Sequence, residues 1–175
     1  MKNRILILTV LAATIFGCTS DSMINDDQEV FNLKAKKKAV ERPFKIKKVE
    51  GTYSFFGGDG VSCLAPLALN AIGEGTITHL GRSTMFEEWC SNAPDDLGTR
   101  SITITAANGD ELRGYHSTIQ FIGANPTTFV ETLNFDGGTG RFKNATGVFI
   151  ETVVVFEDDQ FTGTFVMSGE GTIKY

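Results

Sequence analysis

Glu131 and Glu151 are the side chains whose setting in this sequence best suits chemistry. Glu131 shares one face of an alternating run with Phe129, Leu133 and Phe135, and Glu151 does so with Phe149, Val153 and Val155. Alternate residues of a β-strand point the same way. A carboxyl on an apolar face stands outside in solvent, pairs with a counter-charge, or is enclosed, where lost hydration raises its pKa. Outward or paired placement is the expectation here. Enclosed together, the two would make an acid/base pair or polar anchors for a ligand, and on that ground they are weak catalytic candidates.

The remaining reactive residue types do not assemble into a motif. His79 ends an alternating run beside Leu80-Gly81, where it is expected to bond backbone groups of a turn. Alternation places Arg113 and Tyr115 on one face and His116 on the other, so these three form no single constellation. Trp89 precedes Cys90 and suits either a rim contact or packing against a disulfide. No Ser/His/Asp triad and no His/Cys/carboxylate metal cluster is spaced for its task, so neither a metal nor a cofactor is expected. The Gly-rich run from Gly137 lacks the Gly-Lys-Ser/Thr ending and following helix of a phosphate loop.

The three cysteines divide by position. Cys18 follows a stretch with Lys2 and Arg4 at its start and an apolar run from Ile5 to Phe16, too short to span a bilayer of about 30 Å. Ile15-Phe16-Gly17-Cys18 resembles the lipobox of bacterial lipoproteins. That resemblance implies a signal peptide over 1–17, cleavage before Cys18, and acylation, palmitate included, of the new N-terminus. The acidic residues Asp21, Asp26, Asp27 and Glu29 resemble the export signal of surface lipoproteins in Bacteroidota-type bacteria. The implied address is the outer membrane, periplasmic or surface-exposed, with the surface favoured. Cys63 and Cys90 then remain as a pair in an oxidising compartment, where a disulfide is expected.

Charge separates a tether from a body. Residues 18–42 are polar, without apolar periodicity, and are read as the lipidated N-terminus and a flexible linker. Lys34 to Lys48 holds eight basic residues against Glu41 alone, whereas Gly51 to Tyr175 holds six basic and fifteen acidic ones. The basic segment suits a solvated linker or contact with lipid phosphates. An acidic body lacks the basic face that nucleic-acid binding needs.

From 43 to 175 the sequence reads as short β-runs broken by Gly, Asn and Asp. Alternation marks 44–56, 67–79, 82–89, 101–105, 111–121, 127–135, 148–156 and 161–175, with Asn108-Gly109 a hairpin turn. Eight antiparallel strands with short connections predict an all-β, up-and-down barrel, which removes sheet edges; the alternative is a β-sandwich. In such a meander Cys63 and Cys90 fall at the same end.

The corner Gly137-Gly138-Thr139-Gly140-Arg141-Phe142-Lys143-Asn144-Ala145-Thr146-Gly147 resembles that of the allene oxide cyclase and dirigent superfamily, a calycin-like group. Gly73 to Arg82 resembles a segment of bacterial proteins with a similar barrel. The resemblance implies an eight-stranded barrel with an apolar lumen and with Phe142 plugging one end. It carries no catalytic residue onto this chain. The leading functional expectation is a lipid-anchored barrel that binds a small apolar ligand or a partner protein without catalysis. The alternative is an isomerase- or cyclase-like enzyme acting in the lumen. An open lumen with Glu131 or Glu151 inside would favour the enzyme, and a Phe-filled one would exclude it.

Overall fold

The computed structural model describes residues 39–93 and 96–175. The expected signal peptide over 1–17, the acylation of Cys18 and nearly all of the tether lie outside them. The strands are β1 (Glu41–Gly57), β2 (Leu67–Ile77), β3 (Gly81–Ser91), β4 (Thr99–Thr105), β5 (Glu111–Ala124), β6 (Thr127–Gly138), β7 (Thr146–Glu157) and β8 (Thr162–Lys174). Each pairs antiparallel with the next, and β1 pairs with β8, so the sheet closes in the order expected of an up-and-down barrel rather than a sandwich. The architecture is consistent with a calycin-like or allene oxide cyclase-like barrel. Arg42 and Pro43, expected at the tether boundary, lie inside β1.

Alternation with a few interruptions decides which side chains fill the barrel. On β3, Ser83, Met85, Glu87, Trp89 and Ser91 are buried while their neighbours face out. On β1 a register shift between Ile46 and Val49 accommodates Lys47 and Lys48 on the outside and keeps both apolar residues inside. Such an extra residue preserves the inward face where strict alternation would reverse it.

The two ends of the interior differ. At the end where β1 starts and β8 finishes, Phe44 meets Phe135 and Phe149 edge-on, with ring centroids 4.9 and 5.3 Å apart. The 3₁₀ turn Gly140–Phe142 folds across this end, and Phe142 is completely buried against Tyr175. Gly140 has φ +52°, and a Cβ there would collide with the Asp110 carboxylate, so glycine is required. Thus Phe142 plugs the barrel as the corner motif implied. His79, at φ 67°, places Nε2 2.9 Å from the Pro43 carbonyl oxygen, so it bonds backbone as expected, but that of β1 and not of its own turn.

At the opposite end, Cys63 and Cys90 form the expected disulfide, with Cα atoms 5.4 Å apart. It ties the loop after β1 to the end of β3. No helix among the described residues is long and apolar enough to cross a membrane.

Candidate functional site

Between the aromatic plug and the disulfide end lies a cavity of about 220 Å³. Tyr53, Phe55, Leu69, Trp89, Phe129, Val153, Val155 and Phe165 are among its walls. Its polar lining comprises Glu87, Arg100, Thr127, Glu131 and Glu157. The interior is therefore Phe-packed in one half and open in the other. Trp89 is a cavity wall: its indole N–H donates to the Leu97 carbonyl at 2.9 Å, and the Arg100 guanidinium lies over its ring at 5.2 Å.

Glu131 and Glu151 both face inward, and both are partnered. They are direct cross-strand neighbours on β6 and β7. Like charges in that position repel, so the strands bring other groups to them. Arg100, from the start of β4, donates through Nη1 to Glu131 Oε1 at 2.7 Å and through Nε to Glu87 Oε1 at 2.8 Å. His116, from β5, places Nε2 2.7 Å from Glu151 Oε1 and 3.5 Å from Glu131 Oε2. Its Nδ1 lies 3.9 Å from Glu87 Oε1. Five strands thus supply one buried network, and Glu131 is shared between its Arg100 and His116 sides.

Charge balance defines what this network can hold. Three carboxylates surround one permanent cation, which leaves two negative charges uncompensated if the imidazole is neutral. Buried uncompensated charge costs several kcal/mol. Protonation of His116 and of one carboxyl restores neutrality. Burial opposes the His116 imidazolium, but the Glu151 hydrogen bond and the Glu87 charge outweigh it and hold the pKa above its ordinary value. Burial pushes Glu131 up to about 7, with the Glu87 charge adding to the rise and Arg100 opposing it. At Glu87 burial acts in the same direction, but the Arg100 and His116 charges prevail and keep the carboxyl below its usual range. Of Glu87 and Glu131, it is Glu131 that burial holds closer to its protonated form. Its Oε2 is buried without a hydrogen-bond partner, as are Glu151 Oε2 and His116 Nδ1.

The arrangement corrects the expectation that no His/carboxylate cluster forms, because donor atoms of His116, Glu131 and Glu151 lie within 4.8 Å of one another. A divalent cation is the other way to supply two positive charges. The Arg100 guanidinium already stands against Glu131, however, and puts a fixed positive charge beside any ion held there. We therefore read the set as a store for two protons.

Glu87 and Arg100 were not singled out by sequence, and His116 was named only as standing apart from Arg113 and Tyr115, although the signal was present. Met85 and Trp89 carry Glu87 inward between them, and Arg100 precedes Ile102 by two positions on the buried face. His116 does lie on the opposite face from Arg113 and Tyr115, as alternation indicated. That inward face is the one with the chemistry, whereas Arg113 bonds Glu111 at the surface.

No family model, curated protein or solved structure matches this chain.

Proposed function

We propose that the lumen is a reaction chamber for a small apolar molecule, in which Glu131 gives and takes back a proton in an isomerase- or cyclase-like rearrangement. One observation carries this reading: the buried acid/base network meets the apolar cavity through Glu131, with Glu87 and Arg100 beside it. A general acid/base works best when its pKa lies near the working pH, and about 7 meets that condition. A carboxyl that protonates one atom of a substrate and removes a proton from another ends as it began. His116 and Arg100 steady the charge on Glu131 while it is deprotonated. The cavity walls hold the substrate by apolar contact and exclude water. Cys18 and the segments around it support a lipid-anchored chain at the outer membrane, so the chamber would work outside the cytoplasm.

The test has two stages. An uncharged apolar fluorophore such as Nile red should enter the lumen and accept energy from Trp89, the chain's one tryptophan. Failure of that transfer refutes the chamber. Candidate substrates in D₂O should then gain deuterium at carbon, and Glu131→Gln should slow that gain by about 10²- to 10⁴-fold, the usual contribution of a general acid/base. Uptake without exchange, in every compound that binds, replaces the enzyme with a non-catalytic ligand carrier.

A further inference from the structure

The charges lining the cavity restrict what enters it. Among the described residues of its lining, Arg100 is the one cation. It is committed to Glu87 through Nε and Nη2 and to Glu131 through Nη1. A guanidinium has five N–H groups, so two remain uncommitted on a side chain that faces the cavity. The floor therefore presents spare hydrogen-bond donors with no spare positive charge.

The mouth adds a second constraint. Glu157 lines it, and Asp158 and Asp159 follow in the turn between β7 and β8. Their field reaches the lumen: burial first, and then Glu157, Asp158 and Asp159, hold the Tyr53 hydroxyl above its ordinary pKa. An anionic ligand would pass this acidic turn and then add an unmatched negative charge to a neutral, buried network. A cationic head at the floor would meet the fixed Arg100 guanidinium, which already pairs with both floor carboxyls, Glu87 and Glu131. A neutral oxygen acceptor suits both constraints, because it takes an Arg100 N–H or the Glu131 proton without changing the charge.

From this geometry we infer that the ligand is an uncharged carbonyl compound with an apolar body, seated carbonyl-first against Arg100 and Glu131, and that fatty carboxylates are excluded. This assignment rests on the lumen being a small-molecule chamber. Donors aimed at a carbonyl oxygen beside a proton-exchanging carboxyl also form the arrangement that shifts protons next to a carbonyl.

The test uses the wild-type full chain and three compounds of equal length: 2-octanone, octanoate and octylamine. Each competes at pH 7 with Nile red, read through transfer from Trp89. The ketone should bind tighter than either charged compound by about tenfold or more, which is ~1.4 kcal/mol. Equal or tighter binding of octanoate or octylamine overturns the inference while leaving the chamber intact. If Nile red itself does not enter, the chamber and this assignment fail together. Lowering the pH to about 4 protonates part of the octanoate and should strengthen its competition; competition unchanged or weakened there counts against charge as the selector.

Discussion

Replacing Glu131 with Gln should make the protein markedly more stable at alkaline pH and change it by less than about 1 kcal/mol at pH 5. In the folded protein the Glu131 pKa is raised from 4.5 to about 7, whereas the unfolded chain leaves it near its ordinary value. A carboxyl raised in the folded state leaves stability untouched below the unfolded pKa, where it is protonated in both states. Stability then falls as pH rises from about 4.5 to about 7, because the unfolded chain loses the proton first. At ~1.4 kcal/mol per pH unit the accumulated cost is about 3 kcal/mol above pH 7. Gln keeps the shape and a carbonyl oxygen for Arg100 and cannot ionise, so the variant escapes that loss. The wild type and Glu131→Gln should therefore unfold at similar urea concentrations at pH 5. At pH 8.5 the variant should be ahead by about 3 kcal/mol. Trp89 fluorescence reports the transition, and His116 titrates in both proteins, so its contribution largely cancels in the difference. A variant less stable than wild type at pH 8.5 would show Glu131 acting as an ionised partner of Arg100, and the proton-store reasoning would be refuted.

Three further outcomes can be checked, two from the structure and one from the lipobox resemblance around Cys18. Reducing the Cys63–Cys90 bond, which closes a sequence separation of 27 residues, should lower stability by about 3.5 kcal/mol on the chain-entropy model; alkylation of both thiols in the native, unreduced protein would contradict the bond. Zinc or manganese, and equally EDTA, should leave the melting temperature unchanged, and a rise of several degrees with metal would show that His116, Glu131 and Glu151 hold a cation in place of two protons. Cys18→Ala should move the protein from the detergent phase to the aqueous phase, and unchanged partitioning would count against acylation.

Strand count, order and closure were legible because they depend on local alternation and turn chemistry. Ser101 to Thr105 alternates cleanly, and Asn108-Gly109 fixes the hairpin that follows. The disulfide followed from the even pair left once Cys18 was set aside, and meander topology allowed it, because the loop holding Cys63 and the end of β3 holding Cys90 lie at one end. The network was less legible because its members come from five strands, and separations across a closed barrel are not local. Alternation also fails along β5, where register shifts follow Arg113, His116 and Phe121. His116 faces inward and Ile119, three positions later, also lines the cavity. A strict two-residue count would put one of them outside. Glu87 and Glu88 are adjacent and identical in type, so only Met85 and Trp89 reveal which one is inside. Enclosure and pairing were set apart as alternatives for Glu131 and Glu151, and the barrel combines the two.

The plug at one end gives the barrel a direction as well as a shape. Both β1 and β8 have their free ends beside Phe142, on the far side from the mouth. A chain held from its N-terminal side is gripped at the sealed base, like a cup by its foot. The opening of the cavity lies at the other end, beside the disulfide and the turn between β7 and β8. A reporter fused after Tyr175 would start from the base and leave the entrance clear.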